Sequence, residues 1–120
     1  MARTLTSRVR LVLFSTLLTG LTSVAQAANP PAASGQAVYE RWCSHCHAPG
    51  PGHPGTQSLQ AKYGDKAPAV ILERTDLSAQ AVAVFVRQGV LMMAPFRKTE
   101  ISDAELTALA AYVARNFKAP

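Results

Sequence analysis

The sequence predicts an all-α protein, and three observations carry the prediction. Ser102 and Glu105 have the spacing of a helix capping box, with Ile101 and Leu106 flanking it as a hydrophobic staple. Leu106, Leu109, Ala110, Val113 and Phe117 then recur at helical intervals, a single apolar stripe that requires a packing partner. Nowhere does the chain alternate apolar and polar residues as a strand does, and it holds no internal repeat. At 120 residues it has room for one ordinary domain.

The elements follow in order. Met1 to Arg10 is cationic, Leu11 to Val24 is mostly apolar, and Ala25-Gln26-Ala27 has the small-x-small pattern of a signal peptidase site. Residues 1–27 are therefore expected to be a signal peptide, removed after Ala27 on export. The competing reading is a retained anchor, with the apolar stretch extended through Ala28 toward the roughly 20 residues of a spanning helix. The interspersed Ser and Thr and the cleavage-like end favour removal, and with no later segment able to span a bilayer, no stable membrane insertion is expected afterwards. Residues 28–33, with two adjacent prolines, read as a short disordered lead-in, and residues 34–120 as the folded domain.

Within that domain Ser34 can cap a first helix from about Gly35 to His45, in which Val38, Tyr39, Trp42, Cys43 and Cys46 recur near helical spacing. Ala48 to Gly55 carries three prolines and three glycines and is expected to be a loop. A short helix is expected near Ala67 to Glu73, where Pro68 suits the first turn. Asp76 or Ser78 starts a firmer one through Val82, Val84, Phe85 and Val86, and Gly89 is placed to end it in a left-handed cap.

Charge excludes one class of function. Lys plus Arg number 12 against 7 Asp plus Glu, but Arg3, Arg8 and Arg10 all lie in the expected leader. Without it, 9 basic side chains face 7 acidic ones, and no basic stripe remains to neutralise a phosphate backbone. No nucleic-acid partner is expected.

The chemistry is concentrated in Arg41-Trp42-Cys43-Ser44-His45-Cys46-His47, which contains C-x-x-C-H, the pattern for covalent attachment of c-type haem. On a helical turn positions i, i+3 and i+4 share a face, so Cys43, Cys46 and His47 can point one way. Two thiols so placed can each add to one vinyl group of a porphyrin, and the adjacent imidazole can reach its iron. Three plainer readings compete. A disulfide closing so small a loop adds little stability; a thioredoxin-like pair needs a βαβ setting that is missing; structural zinc needs two more regularly spaced ligands, where only His45 and His53 remain. His45 reads as a solvent-facing spacer and His53 as a loop residue.

A second axial ligand is offered by Leu91-Met92-Met93-Ala94-Pro95-Phe96. A thioether is a soft neutral ligand that favours ferrous over ferric iron. Gly89 ends the preceding helix and Pro95 pushes Ala94 toward an extended conformation, so the methionines lie on a non-helical strap. Methionines are more often core fillers, but the Gly, Met, Pro, Phe context downstream of His47 points to ligation.

The chain resembles a small monohaem class I cytochrome c over nearly all of its mature region. Gly35-Gln36-Ala37-Val38-Tyr39 resembles the glycine and aromatic that let the family's first helix cross its last, with Tyr112 or Leu109 opposite. Cys43, Cys46 and His47 match the haem motif, Gly89 to Phe96 resembles the methionine strap, and Ile101 to Leu106 matches the start of the closing helix. By register from Gly89 the resemblance puts Met93 on the iron, with Met92 as the alternative, since the family's Met-Pro is here Met93-Ala94-Pro95. It also implies a haem pocket that includes Phe96, a Pro54 carbonyl accepting from the ligand histidine, and Tyr63 or Arg74 at a haem propionate, while Leu59 lies further along than the family's leucine.

The implied function is one-electron transfer in the periplasm through a His/Met-ligated haem c iron, by a carrier and not an enzyme. A dehydrogenase would be the donor, and an oxidase or another cytochrome the acceptor. Two alternatives stand beside it. One is a haem enzyme or sensor with an open sixth position. The other is a bound subunit of a periplasmic dehydrogenase, since His53-Pro54-Gly55-Thr56 through Phe96 to Ile101 loosely resembles cytochrome subunits of flavoproteins that oxidise 4-alkylphenols.

Overall fold

The computed structural model describes residues 33–119; the leader expected at 1–27 and the lead-in at 28–33, Ala33 apart, lie outside them. Five α-helices follow one another: α1 (Gly35–Trp42), α2 (Ser44–His47), α3 (Pro54–Tyr63), α4 (Ala79–Gln88) and α5 (Asp103–Val113). Single 3-10 turns stand at Gly64–Lys66, Ile71–Glu73 and Ala114–Asn116. The one β-type pairing among the described residues is an isolated antiparallel bridge between Val90 and Met93. The protein is all-α, and among the described residues no helix is long and apolar enough to cross a membrane.

The caps fall where short-range chemistry put them. Ser34 Oγ accepts from the Ala37 amide and Ser78 Oγ from the Ala81 amide, which starts α1 and α4. Gly89 ends α4 at φ +71°. The Ser102–Glu105 capping box is complete in both directions, and Ile101 and Leu106 beside it are buried.

The core forms where α1 and α4 each pack on α5. Leu109 and Ile101 are fully enclosed, and Val38, Tyr39, Val82, Val86, Leu106, Ala110 and Val113 surround them. The α1–α5 crossing is close because Gly35 has no side chain: a Cβ there would overlap the Ala108 carbonyl and stand 2.7 Å from Tyr112 Cβ. One helical turn on, the Tyr39 and Tyr112 rings meet at 5.8 Å between centroids, tilted by 52°.

Four expectations need correction. The first helix does not run on to His45: it stops at Trp42, Cys43 departs to φ −112°, and a fresh turn begins at Ser44. The Pro/Gly loop ends at His53, because Pro54 is the first residue of α3, where a missing N–H costs nothing. The helix expected over Ala67–Glu73 is only the 3-10 turn Ile71–Glu73. Phe117 leaves the α5 stripe: a 3-10 turn tightens the chain after Val113 and leaves Phe117 40% exposed.

Candidate functional site

Cys43, Cys46 and His47 lie on one turn, closed by hydrogen bonds from the Cys46 and His47 amides to the Cys43 carbonyl (3.1 and 2.9 Å). Both thiols are free; Cys43 is buried against the core and Cys46 is exposed. Burial, and then the neighbouring Cys46, push the Cys43 thiol up to about 11. Burial also pushes the His47 imidazole below its ordinary value, which favours the neutral ring, the form able to bind a metal.

Three side chains hold the carbonyls of this turn. The Tyr39 hydroxyl donates to the His47 carbonyl (3.0 Å) and Thr56 Oγ1 to the Ala48 carbonyl (2.9 Å). His53 Nδ1 lies 2.9 Å from the His45 carbonyl; a carbonyl only accepts, so that nitrogen carries the proton. Burial raises the Tyr39 phenol above its usual value and keeps it a donor. The loop between, with Gly50 and Gly52 at φ +98° and +89°, folds back so that α3 packs on α2. Gly55 abuts the ligand candidate itself: a Cβ there would lie 2.7 Å from His47 Cε1 and from the Cys46 carbonyl.

The Pro54 carbonyl does not receive His47 as expected. As the first residue of α3 it points along that helix and accepts Ser58 Oγ at 2.8 Å. His47 Nδ1 is buried with no hydrogen-bond partner.

The strap after α4 separates its two methionines. The Val90 and Met93 amides each donate to the other residue's carbonyl at 2.9 Å, making a tight turn with Leu91 and Met92 at its tip. Met92 is 84% exposed, whereas Met93 is half-buried against the core cluster that contains Cys43. Phe96 anchors the strap: its amide donates to the Val86 carbonyl (2.8 Å), its carbonyl accepts from Arg87, and its ring meets Trp42 edge-on at 5.8 Å. The structure thus brings the strap onto the last residue of α1, next in the chain to the cysteine motif.

Tyr63 and Arg74 come together, but toward each other. The Arg74 guanidinium lies 4.4 Å from the Tyr63 ring centroid and is engaged at two nitrogens by the Asp76 carboxylate. Leu59 is half-buried on α3.

These residues fit a c-type haem by the chemistry of the donor set: two free thiols and a neutral imidazole on one turn, with a thioether tucked toward the same core. Gly55, Thr56 and the Tyr39 hydroxyl were missed as site residues in the sequence. For Gly55 and Thr56 the Pro-Gly-Thr at the start of α3 was the one local signal.

An all-α fold wrapped on a C-x-x-C-H turn and closed by a methionine-bearing strap defines a small class I cytochrome c, a haem protein of electron transfer with iron in covalently bound haem c. The chain belongs to the family described as cytochrome c oxidase, cbb3-type, subunit III, whose model matches residues 30–113. Among solved structures it is similar to OmcF, outer membrane cytochrome F from Geobacter sulfurreducens. The identity is 20% and the TM-score 0.46, with 71% of this chain and 100% of that one covered. A mutant of OmcF matches at 19% identity and TM-score 0.47, with 72% and 98% covered. No curated protein matches the chain.

Proposed function

We propose that this protein is a periplasmic one-electron carrier, exported by a leader at residues 1–27, in which His47 and Met93 are the axial ligands of the haem iron. Cys43 and Cys46 would hold the porphyrin by adding their thiols across its two vinyl groups. When bound, the haem supplies one-electron exchange between ferric and ferrous iron. The polypeptide's part is to hold both ligands still, so that little reorganises as the charge changes.

The residues divide that work. Tyr39, His53 and Thr56 hold the carbonyls of the attachment turn, and Gly55 leaves room for the imidazole against α3. The observation that carries the choice of Met93 is the Val90–Met93 bridge, which turns Met92 out to solvent and leaves Met93 against the core. With His47 and Met93 both holding the iron, substrate would have no route to the metal, which favours a carrier over an enzyme.

Absorption spectroscopy of the haem-loaded protein tests this. The Met-to-ferric-iron charge-transfer band is expected in the native protein and in Met92→Ala, and absent from Met93→Ala. High-spin ferric haem that binds added ligands rapidly in the native protein would overturn the reading.

A further inference from the structure

Between Gly89 and Phe96 the strap has little polar support from the rest of the chain. Among the described residues, the hydrogen bonds of residues 90–95 run only between Val90 and Met93, so this stretch is tied to itself. Its ties to the body lie at its two ends. Upstream, the Gly89 amide donates to the Phe85 carbonyl (2.8 Å), and a Cβ on Gly89 would lie 2.6 Å from the Met93 carbonyl oxygen. Downstream, the tie is Phe96, three residues beyond Met93.

Arg87 turns that downstream tie into a junction of three elements. It stands in the last turn of α4, next to Val86, whose carbonyl accepts the Phe96 amide. Arg87 Nη1 donates to the Phe96 carbonyl (3.1 Å), while Nη2 donates to Asp103 Oδ1 (3.0 Å) at the first residue of α5. The Phe96 peptide is therefore gripped by neighbouring residues of one helix, and the grip is braced against another. Its side chain is only 22% exposed, so the arginine is packed into this junction and does not wave in solvent. A planar guanidinium presents separate donors to two acceptors at once, which a single ammonium does not reproduce. Loss of this charged donor would leave the part-buried Phe96 carbonyl unpaired.

We propose that Arg87 is a positioning residue for Met93, a latch that, braced by Asp103, sets how small a fraction of molecules has the strap lifted and the thioether off the iron. This rests on the reading of Met93 as axial ligand. Replacement of the thioether by an added imidazole breaks one iron–sulfur bond and makes one iron–nitrogen bond; the iron stays ferric, and no electron or proton is transferred. Because imidazole binds only the lifted form, its apparent affinity rises in proportion to that fraction.

The test titrates imidazole into haem-loaded ferric protein and follows loss of the Met-to-iron band. Hydrogen exchange of the Phe96 amide, without imidazole, reads the same opening independently of the iron. In Arg87→Leu both the apparent affinity and the exchange rate are expected to rise at least about tenfold, as loss of a hydrogen bond from a charged donor requires. Arg87→Lys keeps the charge without the fork and should move the same way. Asp103→Asn, at an exposed position, should raise both by about twofold or more, and it carries the test if Arg87→Leu does not fold. Gly35→Ala, at the far end of α1 from Trp42, controls for stability alone: its thermal midpoint should fall with imidazole affinity unchanged. Unchanged affinity and exchange in Arg87→Leu, or in Asp103→Asn where the former does not fold, overturns the proposal. So does equal tightening in Gly35→Ala, which would make the strap open only with the whole fold, or full rescue by Arg87→Lys, which would reduce the latch to charge. A native protein without the Met-to-iron band fails the axial reading and the proposal with it, whereas unchanged variants of a native protein that has the band fail the latch alone.

Discussion

Replacing Gly35 by alanine adds one methyl group at the tightest contact of the α1–α5 crossing. The new Cβ would overlap the Ala108 carbonyl and sit 2.7 Å from Tyr112 Cβ, so the helices must part by about 1 Å to reach ordinary van der Waals distance. The clash is with backbone and a Cβ, neither of which can rotate away. A gap of that size forfeits about a quarter to a half of the dispersion energy at each facing contact, and the contacts belong to Val38, Tyr39, Leu109 and Val113, all buried. Overpacking of this kind costs about 1–3 kcal/mol. The better helix propensity of alanine returns little at a first-turn position, so a net loss of about 2 kcal/mol is expected. For a domain of this size that lowers the unfolding midpoint by about 8–16 °C. Thermal unfolding of the haem-loaded protein, followed by far-ultraviolet circular dichroism with Gln36→Ala as the exposed control on the same helix, measures it. A Gly35→Ala midpoint indistinguishable from that of the control would refute the argument from close approach.

Three further outcomes are expected. Ser102→Ala removes the hydroxyl that caps α5 and leaves the Glu105 amide unpaired; it should cost about 1 kcal/mol in urea unfolding. Tyr39→Phe keeps the ring pair with Tyr112 but leaves the part-buried His47 carbonyl without its donor, for a loss of about 1 kcal/mol by the same assay. The hydrogen bonds from Arg74, outweighing the effect of burial, hold the Asp76 carboxyl below its ordinary 3.8. Its contribution is therefore complete above that value and is lost as pH falls through the lower folded pKa. Because the Asp76 side chain is 57% exposed, solvent screens the pair and the contribution is a fraction of a kcal/mol. Native protein minus Asp76→Asn, compared by urea unfolding between pH 6 and pH 3, should show that difference shrink as acid is added; a difference that does not change with pH would refute the assignment.

What the sequence made legible was whatever depends on neighbours in the chain. The caps of α1, α4 and α5 are each decided within four residues, and all three were readable. The C-x-x-C-H turn was readable for the same reason. α3 was not: Thr56 is its one buried residue and Leu59 is only half-buried, so no apolar stripe announces it, and Pro54 reads as a breaker until it is seen at the helix start. Register from Gly89 put Met93 ahead of Met92; what the sequence did not show is the turn that carries them, because it runs through a leucine in a conformation leucines avoid. The Pro54 carbonyl was misplaced because a resemblance transfers residue types more safely than the directions of their carbonyls. Arg74 and Tyr63 were singled out for a haem propionate; in the structure they meet each other, and Arg74 also meets Asp76.

The crossing of α1 on α5 also fixes the order of events for a polypeptide synthesised amino end first. Cys43 emerges and then waits for some sixty further residues, up to Ala104 and beyond, before the segment that will enclose it arrives. Throughout that interval its sulfur is open to any chemistry that must reach it. Once Leu109 seats, it no longer is.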